Sequence, residues 1–157
     1  MGLLIQKGRG KMETPKDLSR FLTRQEYDYA LALSEIRGGR KESHWMWYIF
    51  PQLRGLGESY DAWYYGIADL EEARAYLEHP VLGDRLREIS QALLELEQTD
   101  PRWIFGWTDS LKLRSCMTLF LRASGESVFA EVLDRFYGGR EDQRTLSMLE
   151  EPASDWL

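Results

Sequence analysis

Apolar side chains recur along most of this chain at helical spacing. The clearest run follows Pro80. There Leu82, Leu86, Ile89, Leu93 and Leu96 alternate steps of four and three residues, which lays one apolar stripe along a helix. Leu113, Cys116, Met117 and Phe120 repeat the pattern, as do Val128, Phe129, Val132, Leu133 and Phe136. Leu70, Ala73, Tyr76 and Leu77 form a shorter stripe, and Tyr27, Ala30, Leu31, Leu33 and Ile36 an earlier one.

Start and stop residues frame these stripes. Thr23-Arg24-Gln25-Glu26 has the form of a capping box, and a separate short segment precedes it from Asp17 to Leu22. Gly38-Gly39, Gly125 and Gly138-Gly139 stand where helices end, since glycine accepts the left-handed turn after a last helical residue. Asp69, Thr108 and Asp142 stand where helices begin. Trp103-Ile104-Phe105-Gly106-Trp107 reads as a compact aromatic link, and residues 53–67 as a structured loop. The sum is an all-α single compact domain of about seven helices over residues 15–150. Residues 1–14 read as a flexible N-terminal lead-in and 151–157 as a frayed C-terminus.

Composition narrows the function classes. The chain has 157 residues, net charge −6 and a single cysteine. An acidic domain is a poor general binder of nucleic acid, whose phosphates call for a basic face. One cysteine permits no intrachain disulfide and fits a reducing cytoplasm. No window reaches the length of a membrane span, and Leu3-Leu4-Ile5 is too short for a signal-peptide core. Two histidines and one cysteine, far apart, match no zinc spacing. No metal and no cofactor is expected.

The densest chemistry lies in Ser43-His44-Trp45-Met46-Trp47-Tyr48-Ile49-Phe50-Pro51-Gln52. Ser43 is placed to cap one or two helical turns that Pro51 must end, although the aromatic content also suits a strand. His44 can exchange a proton near neutrality. Trp45 and Trp47 can stack on a flat ligand, and Gln52 offers both a donor and an acceptor. On a helix these aromatics cannot all face solvent, so part of the set belongs to the core. A second cluster lies on the helix expected from Thr108. Asp109 falls on its inner line, Lys112 is within salt-bridge reach, and Ser115 follows three residues on.

Together with Lys41 and Leu53-Arg54-Gly55-Leu56-Gly57, this stretch resembles the signature of the bacterial DUF1810 family, the Rv1873-like superfamily. The likeness extends over roughly residues 18–150 through several further blocks in order. These are Tyr29-Ala30-Leu31 with Glu35-Ile36, Glu72 to Leu77, His79 to Gly83, Ile104-Phe105-Gly106, Asp109 with Lys112, and Ser115 to Phe120. Cys116 stands where the family pattern has Ser. The resemblance implies a mainly helical fold and carries no established activity.

Two functional readings remain open. In one, a small-molecule enzyme or sensor holds a polar, nucleotide-like or sugar-like ligand. His44, Asp109 and Lys112 would be its reactive groups, with Ser43, Trp45, Trp47, Gln52 and Ser115 as ligand contacts. In the other, the aromatics are core and the domain is an interaction module that meets a partner protein or a second copy of itself. Trp103 to Trp107 would then be the contact patch.

Overall fold

The computed structural model describes residues 17–150; the expected lead-in and the frayed C-terminus lie outside them. Among the described residues the chain forms eight helices and no strand. They are α1 (Ser19–Arg37), α2 (Met46–Ile49), α3 (Tyr60–Tyr64), α4 (Leu70–Glu78), α5 (Pro80–Leu94), α6 (Pro101–Ser124), α7 (Ser127–Tyr137) and α8 (Gln143–Glu150). Helix α6 packs on α4, α7 and α8, while α5 packs on α1, α4 and α7. Trp45, Tyr76, Phe21, Phe50, Phe120 and Phe129 are the largest side chains sealed in the core between them.

Several caps are as expected. The Asp69 carboxylate accepts from the Glu72 N–H at 2.9 Å, and Asp142 accepts from the Thr145 N–H at the same distance. His79 ends α4 and also starts α5, its Nδ1 accepting from the N–H of Val81 at 3.1 Å.

Other expectations are corrected. The capping box at Thr23 does not form, because α1 is continuous from Ser19 and Thr23 is an exposed interior residue. The cause is distant in sequence. Arg20 is buried and its guanidinium donates to the carbonyls of Tyr64 and Gly66 and to the Glu72 carboxylate, which anchors the first turn. The inner face of α1 is Phe21, Gln25, Ala32 and Ile36, so Tyr27, Ala30 and Leu31 face solvent. Residues 53–67 hold a helical turn, α3, capped by the Ser59 hydroxyl. The aromatic link is helical from Pro101, with Asp100 as its cap. Gly106, at φ 82° and ψ 170°, breaks that helix, and the second segment begins there and not at Thr108. Only glycine adopts this conformation cheaply.

Candidate functional site

The stretch after α1 is held by one carboxylate. Glu35 Oε1 accepts from the N–H groups of Glu42 and Ser43, at 2.8 and 3.0 Å, and from the Trp45 indole at 2.9 Å. Its Oε2 accepts from the Ser43 hydroxyl at 2.5 Å. Burial opposes the charge, but the Ser43 hydroxyl and the other donors outweigh it and hold the Glu35 carboxyl down to about 2. Ser43 is therefore not a helix cap. Its hydroxyl is bound to Glu35, and α2 starts only at Met46, as a single turn.

That turn sorts the aromatics. Trp45, Tyr48 and Phe50 are at most 3% exposed, whereas Trp47 remains partly open. Pro51 stops the helix. The next backbone is pinned by an isolated parallel bridge, in which Ile67 N–H donates to the Gln52 carbonyl at 2.9 Å and Arg54 N–H to the Ile67 carbonyl at 2.7 Å. The Gln52 side chain thus has a fixed base.

Asp109 lies between two lysines. Its Oδ2 is 2.8 Å from Lys41 Nζ, and its Oδ1 is 3.0 Å from Lys112 Nζ. Each ammonium also sits over an indole, Lys41 at 5.1 Å from the Trp45 ring centre and Lys112 at 4.0 Å from that of Trp47. Burial alone would raise the Asp109 carboxyl, but the two ammoniums hold it below the usual carboxylate range. Asp109 is thus a fixed anion that positions both cations.

Beyond Lys112 a cleft of about 310 Å³ opens between α2, the loop after it, α6 and the start of α8. Trp47, Gln52, Lys112 and Ser115 line it, joined by Arg114 and Arg144. Arg144 donates to the Leu56 carbonyl at 3.1 Å, which ties α8 to the loop. Gln52 is 7% exposed, and among the described residues its carboxamide has no hydrogen-bond partner. Its oxygen and nitrogen are not sealed from solvent, so the carboxamide offers a free acceptor and donor to whatever occupies the cleft. Gly57 has no room for a side chain, since a Cβ there would lie 2.9 Å from the Ala62 Cβ, and it also borders Trp47 and Gln52 at 3.7 and 3.9 Å.

The profile of a family described as "Protein of unknown function (DUF1810)" matches residues 15–149. The chain belongs to the DUF1810 family. It is also similar to a solved structure, that of the conserved hypothetical protein Rv1873 from Mycobacterium tuberculosis. The identity is 47%, the match covers 88% of this chain and 99% of that one, and the TM-score is 0.85. No curated protein matches.

In this DUF1810 fold the residues singled out from sequence divide into three groups. Trp47, Gln52, Lys112 and Ser115 meet in the cleft, and Asp109 supports it through Lys112. Ser43 and Trp45 are held by Glu35, and Trp45 is core, so neither is among the cleft residues. His44 is exposed and is not part of the cleft wall. Sequence reading missed Arg114, Asp142 and Arg144. Asp142 was visible only as a cap, a role it keeps, and nothing local marks α8 as folding back on the loop at Leu56. Among the described residues no group of three potential metal ligands is present, and no helix is long and apolar enough to cross a membrane.

Proposed function

We propose that the cleft binds a small polar or nucleotide-like molecule. One observation carries the reading. Among the described residues the Gln52 carboxamide has no protein hydrogen-bond partner, and its polar atoms are open to the cleft, between a partly open indole and a set of cations. An amide can read the edge of a base or another amide, Trp47 supplies a flat apolar surface, and Lys112, Arg114 and Arg144 favour negative charge. The cleft volume is at the lower end of small-molecule sites.

Calorimetry and thermal shift with nucleosides, nucleotides, sugars and amino acids test this. One class should bind wild type and raise its Tm, and both Gln52→Met and Trp47→Leu should remove the effect. If no class binds, or binding survives both substitutions, the reading fails.

A second reading has its own observation. Trp103 and Trp107 are 71% and 65% exposed, and Leu111 beyond them is 48% exposed. Large exposed apolar side chains in one region mark contact surfaces more often than chance. A homo-oligomer joined there would dissociate on Trp103→Ser with Trp107→Ser in sedimentation, while ligand binding in the cleft persisted.

A further inference from the structure

Next to the cleft lies a second groove of about 500 Å³, which shares Arg114, Asp142 and Arg144 with it and adds Arg122, Arg140 and Glu141. The lining of the two cavities holds Lys112, Arg114, Arg122, Arg140 and Arg144 with Glu141 and Asp142, and Asp109 stands behind Lys112 as its counter-ion, five cations to three carboxylates. This excess stands on a chain whose net charge is −6. We propose that the cleft's ligand is phosphorylated, its phosphoryl group lying in this groove against Arg114, Arg140 and Arg144. The proposal rests on the reading of the cleft as a site for a nucleotide-like molecule and names its charged part.

The state of each arginine supports it. Arg140 is exposed, and among the described residues its guanidinium has neither a carboxylate nor a hydrogen-bond partner. Arg144 donates to a neutral acceptor, the Leu56 carbonyl. Arg114 is 3.8 Å from Asp142 Oδ1, and its own Nε is buried with no partner. Asp142 cannot turn freely to meet it, because Oδ2 accepts from both the N–H and the hydroxyl of Thr145, at 2.9 and 2.6 Å. Arg122 is different, since Glu141 already holds it through two contacts at 2.8 and 3.1 Å. Arg114 and Arg144 line both the cleft and the groove, Arg140 lines the groove alone, and the sealed Nε of Arg114 leaves its terminal nitrogens to meet a ligand. Guanidinium donors of this kind match the oxygens of a phosphoryl group, which can accept from several at once. A molecule with its flat part at Trp47 and Gln52 would reach them across the boundary formed by Arg114 and Arg144.

Isothermal titration of the full chain with inorganic tripolyphosphate, citrate, adenosine and ATP tests the proposal. Tripolyphosphate should bind wild type and citrate should not. Arg140→Gln and Arg144→Gln should each weaken tripolyphosphate and ATP by about ten-fold and leave adenosine unchanged. Arg140→Gln removes no contact, so its circular dichroism should match wild type even if Arg144→Gln loosens α8. Failure of tripolyphosphate to bind, equal binding of citrate, or full binding by both variants overturns the proposal. So does adenosine binding as tightly as ATP, which would leave the reading of the cleft in place. Tripolyphosphate binding without adenosine or ATP binding would support the phosphoryl site and sink the nucleotide-like reading.

Discussion

The Lys112 ammonium stands 4.0 Å from the centre of the Trp47 ring. The same nitrogen is 3.0 Å from Asp109 Oδ1, so it has no freedom to leave the indole without losing its counter-ion. Lys112→Met keeps most of the apolar stem and removes the charge. It should cost about 1 kcal/mol of stability, the scale of a partly buried cation–π contact. Trp47 fluorescence should change, and any nucleotide affinity should fall. An unchanged emission spectrum would mean that the lysine does not hold the ring.

Asp109→Ala should cost more. It leaves Lys41, whose side chain is only 9% exposed, without its carboxylate and puts two ammoniums near each other. Breaking a buried pair by removing one partner costs about 3 kcal/mol or more. Urea unfolding should therefore place Asp109→Ala well below Lys112→Met. Equal losses would mean that Lys41 escapes to solvent.

Glu35 gives the chain an acid-side dependence. Its folded carboxyl is held at about 2, below the ordinary glutamate value of 4.5. A depressed folded value contributes stability that is complete above the unfolded value and is lost as pH falls through the folded one. The contribution should therefore decline from roughly pH 4.5 toward pH 2. Asp109 acts in the same direction, its carboxyl being lowered as well. Glu35→Gln should lose about 1–3 kcal/mol at neutral pH, because an amide accepts fewer of the four donors. Its unfolding midpoints should also fall less steeply with acid than those of wild type. Parallel slopes would show that Glu35 titrates normally.

How far residues alone predicted this structure depended on the range of the forces involved. The α5 stripe was legible because Leu82 to Leu93 follow one period with Pro80 at the start. The Asp69 and Asp142 caps were legible because a cap acts within three residues. One pocket of Ser43, His44, Trp45, Trp47, Gln52, Asp109, Lys112 and Ser115 was expected; the fold brings Trp47, Gln52, Lys112 and Ser115 to one cleft and leaves Ser43, His44 and Trp45 off its wall. What stayed hidden is long-range. Arg20 sets the start of α1 through partners more than forty residues away. Trp45 and Trp47 could not be sorted, because one helical turn has no stripe; Glu35 and Lys41 decide which indole is buried. Arg144 joins the cleft only because α8 packs on α6.

Gly83 shows that a glycine can matter for space as well as for backbone angle. A Cβ there would lie 2.1 Å from the Leu77 carbonyl oxygen, a backbone atom that cannot step aside. Helix α5 must therefore move off α4 if the position is substituted. Gly83→Ala should destabilise by about 3 kcal/mol, at the high end for overpacking, despite the better helix propensity of alanine. A neutral or stabilising result in thermal unfolding would mean that the junction at His79 and Pro80 yields easily.

Gln52 separates binding from folding. Its main chain is pinned through the bridge to Ile67, but among the described residues its carboxamide makes no hydrogen bond. Replacing an amide whose polar atoms meet only the solvent of the cleft by an apolar side chain of similar length breaks no internal hydrogen bond. Gln52→Met should therefore unfold within about 0.5 kcal/mol of wild type, or slightly above it. The same substitution should abolish the ligand-induced rise in Tm, since the donor and acceptor proposed to read the ligand are gone. A large loss of stability in Gln52→Met would instead show that the carboxamide has a structural partner, and the case for the cleft as a binding site would lose its main support.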